Sequence, residues 1–391
     1  MQIAFCLFKY FPFGGLQRDL IKLSDECRRR GHRVRVYVVK WDAPEPEDIE
    51  VFVAPVRALS GHVLYQRYAR WVANHLQQHP VDLLVGLNKM PNLDVYYAGD
   101  SCYEEKARTQ RSFVYRLLPR YKHFSRFERA VFNRRSATQI LTISDDQIPF
   151  FRKHYQTPLD RFHPLPPGID RDRVPPANVA EVRRDFRSEF DVASDEHLLL
   201  FLGSGFIKKG LDRALLAVHA LPPEQFATTR LMVVGGDNAE YFRRMAARLG
   251  IAERVQFFSG RNDVPRFLFG ADSLLLPAYD ENAGMVILEA MIAGLPALIT
   301  QNCGYAHYLA DTHAGLVSPL PFRQARFNAQ LVELMTSDAR STWQVNGRAL
   351  AEDHNIYRLA DVAVDYFERF AQHGRAQPHE RVELDVERNH G

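Results

Sequence analysis

The stretch "HLLLFLGSGFIKKGLDRALLAVHAL", residues 197–221, decides the fold. Its first ten residues read as a short strand running into a glycine turn. The rest, from Gly210 on, carries apolar residues at helical spacing. "RLMVVGG" follows as a second strand, so the order is strand, turn, helix, strand, which is a parallel βαβ unit. The rhythm continues downstream, with "AEYFRRMAARLGI" as a helix and "VQFFSG", "SLLLPA" and "LPALIT" as strands. Upstream the same order appears once more. An apolar run at residues 3–8 is bounded by "FPFGG". "LQRDLIKLSDECRRRGH" is a helix with Leu16, Leu20, Ile21 and Leu23 on one face and Gly31 as its stop, and "RVRVYVV" alternates as a strand does. "VDLLVGLN" and "TQILTIS" are further buried strands. Between the two series lies "TPLDRFHPLPPGIDRDRVPPANV", with six prolines in 23 residues, which suits a linker.

The expected fold class is therefore α/β, with two Rossmann-like, doubly wound domains facing across a cleft. The domains are predicted at 1–170 and 171–355, followed by a C-terminal helix over 356–371 that crosses back and a polar tail at 372–391. Ligands of such sheets bind beyond the carboxyl ends of the strands. Composition agrees with a globular protein: of 391 residues, 46% are hydrophobic and 25% charged. A net charge of +3 gives no reason to expect nucleic acid as a partner of the whole surface. Cys6, Cys27, Cys102 and Cys303 have neither metal-ligand nor redox spacing, which predicts a reducing compartment. "QIAFCLF" has no basic flank or cleavage site, so no signal peptide is expected, and no apolar run reaches membrane-spanning length.

Three segments carry chemistry. In "FPFGGLQRDL", Gly14 and Gly15 between strand and helix let backbone N–H groups approach an anion at the helix N-terminus. Asp19 lies one turn further in, where it can face the same ligand or solvent. The pattern is not G-x-G-x-x-G, so a dinucleotide fingerprint is missing. "GSGFIKKGLDR" repeats the theme, with Lys208 and Lys209 at a helix start offering the charge that a diphosphate calls for. In "YDENAGMVILEA", residues 279–290, Glu281 sits in a loop and Glu289 lies within the helix begun near Gly284. About 7.5 Å of helical rise separates Gly284 from Glu289, so the two acids can touch opposite ends of one elongated ligand. Taken alone, each of these features also fits a tight turn, a surface lysine pair or solvated glutamates.

Together they resemble one family. "AYDENAGMVILEAMIAGLPALIT" is similar to the nucleotide-sugar signature of retaining glycosyltransferases of GT-B architecture, the glycogen-synthase-like family 4. "FGGLQRDL", "GSGFIKKGLDRAL" and "PPGID" fall where that family keeps its glycine loop, its phosphate-binding cations and its interdomain turn. "NKMPNLDVYYAGDSCY", "HYQT", "FFSGRNDV" and "CGYAHYLAD" extend the resemblance, over residues 1–370, to the hexosyltransferases of the lipopolysaccharide core. The resemblance implies a UDP-hexose donor, with UDP-glucose first and UDP-galactose or a UDP-N-acetylhexosamine as alternatives. It implies an inner-core heptose as acceptor, bound to the N-terminal domain, and a cytoplasmic enzyme peripheral on the inner membrane.

The same resemblance places Glu289 on the ribose, and Lys208 and Lys209 on the diphosphate with Gly14 and Gly15 close by. It places Glu281 on the hexose hydroxyls together with the N–H groups around Ala283, Gly284 and Met285. Arg261 falls near the uracil and Arg173 near the phosphates. Asp19 and Asp100 fall on the acceptor side, where either can orient or deprotonate the attacking hydroxyl. Lys208 stands where the family usually has arginine, and Asn282, beside the sugar, where relatives often have a small residue. With cations facing the leaving diphosphate, no metal and no other cofactor is expected. The only D-x-D string, Asp170 and Asp172, lies in the linker.

One segment is left over. Residues 103–135, "YEEKARTQRSFVYRLLPRYKHFSRFERAVFNRR", hold ten Lys/Arg against three Glu, with aromatics interleaved. Such a composition suits an anionic membrane surface, although Phe124, Phe127 and Val131 at helical spacing also suit a core. No nucleic-acid motif accompanies it. Rival readings are weaker. An epimerase or oxidoreductase needs G-x-G-x-x-G and Tyr-x-x-x-Lys, and neither is present. A phosphorylase needs a pyridoxal-phosphate lysine motif. A non-enzymatic membrane-binding module leaves the glycine loops and paired acids unexplained.

Overall fold

The computed structural model describes residues 1–373. The chain forms two compact units, one made of Met1–Phe11, Leu16–Leu165 and the chain from Ala360, the other of Pro12–Gly15 and Pro166–Leu359. The expected polar tail lies, beyond residue 373, outside the described residues.

The sheet of the first unit has seven strands: β1 (Gln2–Cys6), β2 (Arg33–Val38), β3 (Glu50–Val53), β4 (Leu83–Gly86), β5 (Val95–Ala98), β6 (Gln139–Thr142) and β7 (Phe162–Pro164). Their order across the sheet is β3-β2-β1-β4-β5-β6-β7, and every pairing is parallel. The second unit has six: β8 (His197–Leu202), β9 (Thr229–Val234), β10 (Val255–Phe258), β11 (Ser273–Leu276), β12 (Ala297–Thr300) and β13 (Gly315–Ser318). Here the order is β10-β9-β8-β11-β12-β13, again all parallel. In their own strand numbers the second sheet runs 3-2-1-4-5-6, the doubly wound Rossmann order, and the first runs the same order with a seventh strand added at the edge.

Strand burial follows from this architecture. Helices cover both faces of a parallel sheet, so its strands read as continuous apolar runs. Every residue of β4, β5, β11 and β12 is buried. Tyr37, Tyr68, Tyr96, Phe132 and Phe151 fill the first core, and Phe201, Phe206, Leu215, Leu231 and Phe327 the second. All four cysteines are buried and free.

One strand lies where the sequence predicts linker. β7 is formed by Phe162, His163 and Pro164 inside the proline-rich stretch, with Thr142 opposite Pro164. An edge strand needs only one side of its backbone for the ladder, so a terminal proline is tolerated there.

Candidate donor site

In a doubly wound sheet, the order reverses between the first and fourth strands, and the loops on either side of that point part to leave a crevice. In the second unit these are the loops after β8 and β11, and they hold the candidate donor residues.

The loop after β8 is shaped by backbone that favours glycine. Gly203 has φ +122° and Gly205 φ +86°. A Cβ on Gly203 would stand 2.9 Å from Cε of Lys209, so the bare glycine is what lets the lysine lie across the loop. Asp237 Oδ2 accepts the N–H groups of Gly205 and Phe206, both at 2.7 Å, and Ser204 Oγ accepts that of Gly236 at 2.9 Å. The buried Phe206 anchors the loop against Phe201 and Phe242. Gly210, also left-handed, closes the turn; a Cβ there would lie 2.0 Å from the carbonyl oxygen of Pro277. That close approach joins the two loops, and Tyr279 N–H donates to the carbonyl of Lys208 at 2.8 Å.

The loop after β11 is strapped from two sides. Arg213 donates to the carbonyls of Pro277 and Ala278 at 3.1 Å each, and its guanidinium lies over the rings of Tyr279 (3.5 Å) and Phe322 (3.8 Å). Gly304 N–H donates to Glu281 O at 3.1 Å and Tyr305 N–H to Ala283 O at 2.7 Å. Gly284, φ +86°, then turns the chain into the helix Met285–Ile292, with every residue from Val286 on buried. The positive end of that helix faces back toward Glu281.

With the loops fixed, the cations are matched to acids. Lys209 forms an ion pair with Glu281, and Lys208 Nζ lies 3.7 Å from Asp280 Oδ2. Burial pushes the Glu281 carboxyl up, but Lys209 and Lys208 outweigh it and hold the group below the ordinary carboxylate range. Asn282 and Ala283 are buried beside it. Glu289 is buried in the helix, with Nε of the buried Arg173 at 3.6 Å from its Oε1. Arg173 Nη1 also donates to both Asp172 oxygens at 2.7 Å. Arg261 forms a two-pronged pair with Asp263, at 2.7 and 2.8 Å, and lies over Phe267. Gly14 is buried, and Gly15 opens the helix Gly15–Arg29.

The remaining candidates belong to the first unit. Asp19 is buried and accepts a 2.9 Å bond from the Tyr97 hydroxyl at the end of β5. Asp100 is exposed in the following loop, and a Cβ on its neighbour Gly99 would meet Leu16 at 2.9 Å, so this loop lies against the first turn of the helix that carries Asp19. Sequence reasoning missed the acids Asp280, Asp237 and Asp263, and the phenol of Tyr97. Asp237 carried a signal, since it follows a "VVGG" strand end.

The basic segment divides by face. Its helices are Tyr103–Thr109 and Pro119–Phe132, with a 3-10 turn at Phe113–Leu117. Phe127, Val131 and Phe132 are core. The fully buried Glu128 accepts from Lys89 (2.5 Å), from the N–H groups of Tyr103 (2.8 Å) and Glu104 (2.9 Å), and from the Tyr155 hydroxyl (2.7 Å). Glu104 is taken by Arg108, Tyr121 and Ser125, and Glu105 by Lys153 and His154. The acids therefore work inward. Outward stand Phe113 (69% exposed), Val114, Leu117 (61%) and Leu118, with Arg116 over Phe113 and Arg120 over Phe124.

Two Rossmann sheets, with a lysine-bearing glycine loop beside an acid-flanked helix start, define a nucleotide-sugar-dependent transferase of GT-B fold. Family comparison agrees. Residues 182–349 match "Glycosyl transferases group 1" and residues 13–173 match "Glycosyltransferase Family 4". The chain belongs to these glycosyltransferases. Among particular proteins, it is 45% identical over 366 residues to the lipopolysaccharide glucosyltransferase WaaG of Escherichia coli K12, covering 93% of this chain and 98% of that one. A crystal structure of WaaG, described as a glycosyltransferase involved in lipopolysaccharide biosynthesis, superposes with a TM-score of 0.90 over 93% of this chain and 99% of that one. Anabaena HepE in complex with UDP-glucose, at 18% identity, shares the fold with a TM-score of 0.74, covering 94% of this chain and 100% of that one.

Proposed function

We propose that this chain is a retaining glucosyltransferase that moves glucose from UDP-glucose to an inner-core heptose of lipopolysaccharide. The observation that carries the reading is the 45% identity over nearly the whole of a lipopolysaccharide glucosyltransferase. In this reading Glu289 takes the ribose hydroxyls, Lys208 and Lys209 the diphosphate, and Arg261 the uracil. Gly14 and Gly15 let backbone come close to the donor. Glu281, with the N–H groups of Ala283, Gly284 and Met285, holds the hexose, and Asn282 lies beside it.

Charge dictates the chemistry. As the bond from C1 to the diphosphate oxygen breaks, negative charge gathers on the leaving group and positive charge on the sugar ring. Lys209 and Lys208 stabilise the first and Glu281 the second, from groups already fixed before the reaction, the arrangement that makes electrostatic catalysis effective. The acceptor hydroxyl attacks C1 from the face the diphosphate leaves, its proton passing to the departing phosphate oxygen, and configuration is retained. Asp100 and Asp19 serve the acceptor by orienting that hydroxyl. The lysines supply the cationic charge, so the reading calls for no divalent metal and no other cofactor.

The acceptor's lipid anchor makes a membrane surface the natural place of work. Among the described residues, no helix is long and apolar enough to cross a membrane. The cationic, aromatic outer face of segment 103–135 fits a peripheral seat on the anionic inner face of the inner membrane.

The test is a panel of UDP-glucose, UDP-galactose and UDP-N-acetylglucosamine against a heptose-terminated lipopolysaccharide acceptor, with and without EDTA. Glucose transfer that survives chelation is expected. Transfer from only one of the other donors would move the reading to that sugar, and loss of activity with EDTA would end its metal-free part.

A further inference from the structure

Arg173 was expected near the phosphates, yet its contacts lead elsewhere. It lies in the short 3-10 turn Arg171–Arg173, with its side chain 6% exposed against Glu289 at 5%. One arm is spent, because Nη1 donates to both oxygens of Asp172, a residue 60% exposed. The inner edge points the other way. Nε is buried without a hydrogen bond and stands 3.6 Å from Glu289 Oε1, just outside bonding range. A buried guanidinium N–H left without a hydrogen bond is costly, which favours a shift that brings it a partner. Asp172 holds the planar fork from outside, so rotation of Arg173 is restrained and its inner edge stays on the Glu289 carboxylate.

We propose that Arg173 is a positioning residue that acts through Glu289, aiming this carboxylate at the ribose hydroxyls of the donor rather than holding a phosphate itself. The proposal rests on the reading of Glu289 as the ribose contact. Closing of the Nε–Glu289 gap when a nucleotide enters gives the orphan N–H its partner and fixes which Glu289 oxygen faces the ribose. A carboxylate set to accept from two hydroxyls discriminates strongly against a ligand lacking one, because its oxygen is then left unpaired. Without Arg173, Glu289 keeps its place in the helix but loses its aim.

The experiment is calorimetric binding of UDP and 2′-deoxy-UDP to the full chain and to Arg173→Met, Arg173→Lys and Glu289→Gln. The wild-type protein should prefer UDP by roughly tenfold or more, about the worth of one charge-assisted hydrogen bond. Arg173→Met and Glu289→Gln should each bring the ratio close to one. Arg173→Lys, which restores a cation without the fork, should lie between. Equal weakening of both nucleotides by Arg173→Met would mean a phosphate contact and overturn the proposal, as would an unchanged ratio. Should Arg173→Met fail to fold in a urea melt, the ratio in Arg173→Lys decides instead, and a wild-type ratio there overturns the proposal. If Glu289→Gln leaves the preference intact, the ribose assignment itself fails, an outcome distinct from failure of Arg173 alone.

Discussion

The two units share one strand order and put it to different uses. In the second, the loops at the switch point carry Lys208, Lys209, Asp280 and Glu281, cation matched to acid. In the first, the helix that follows β1 carries Asp19, which is met by the neutral phenol of Tyr97. The scaffold fixes where a ligand sits, and the loop residues fix which charge it must bear. A diphosphate suits the first pattern. An uncharged sugar hydroxyl, oriented by the hydrogen bond it donates, suits the second.

That contrast can be broken at its charged end first. Lys209→Ala and Glu281→Ala should each lower transfer about 10²–10³-fold, the scale of losing one preorganised electrostatic contact, measured as UDP release with acceptor present. An equal loss from altering Lys40, an exposed lysine of the first unit, would erase the distinction. Next comes the junction of the loops. Gly210→Ala places a methyl group against the Pro277 carbonyl in a left-handed backbone, and should destabilise by about 1–3 kcal/mol in urea titration. Gly31→Ala, also left-handed but with open space around its Cβ position, should be milder.

A third test is acidity. Glu281 is held below its ordinary range, so its stabilising contribution is complete above the unfolded carboxyl value and is lost as pH falls through the lower folded value. Melting temperatures measured downward from neutral pH should therefore fall less steeply in Lys209→Met than in the wild type. Smallest in effect is the proposed membrane face. Replacing Arg116 or Arg120 by Ser should weaken flotation with anionic vesicles by about 1 kcal/mol each, and added salt should do the same. Undiminished binding to neutral vesicles would remove charge from the account.

The alternation of strands and helices was legible because burial on both sheet faces forces apolar runs, and the glycine breaks at 14–15, 203–205 and 284 marked the strand ends that matter. Other parts were hidden for physical reasons. β7 reads as linker because prolines crowd the stretch around it, and only the free edge beside β6 makes a strand of Phe162, His163 and Pro164. Asp280 looks like a solvated loop acid until tertiary structure sets Lys208 beside it. The basic segment reads as a charge run, and only the fold separates the inward Glu104 and Glu128 from the outward Arg116 and Arg120.

The helix Leu359–His373 begins at the last residue of the second unit and continues within the first. There Arg30 meets Asp361, Asp365 and Glu368, and the buried Phe367 ring lies 6.1 Å from Phe5 of β1. The N-terminal half is thus not a contiguous module. A fragment cut at residue 165 would lack its last piece, and a chimera that swaps N-terminal halves must graft residues 1–165 and this helix together. Supplied in trans, the helix peptide should restore folding to the truncated half, as in split-protein reassembly.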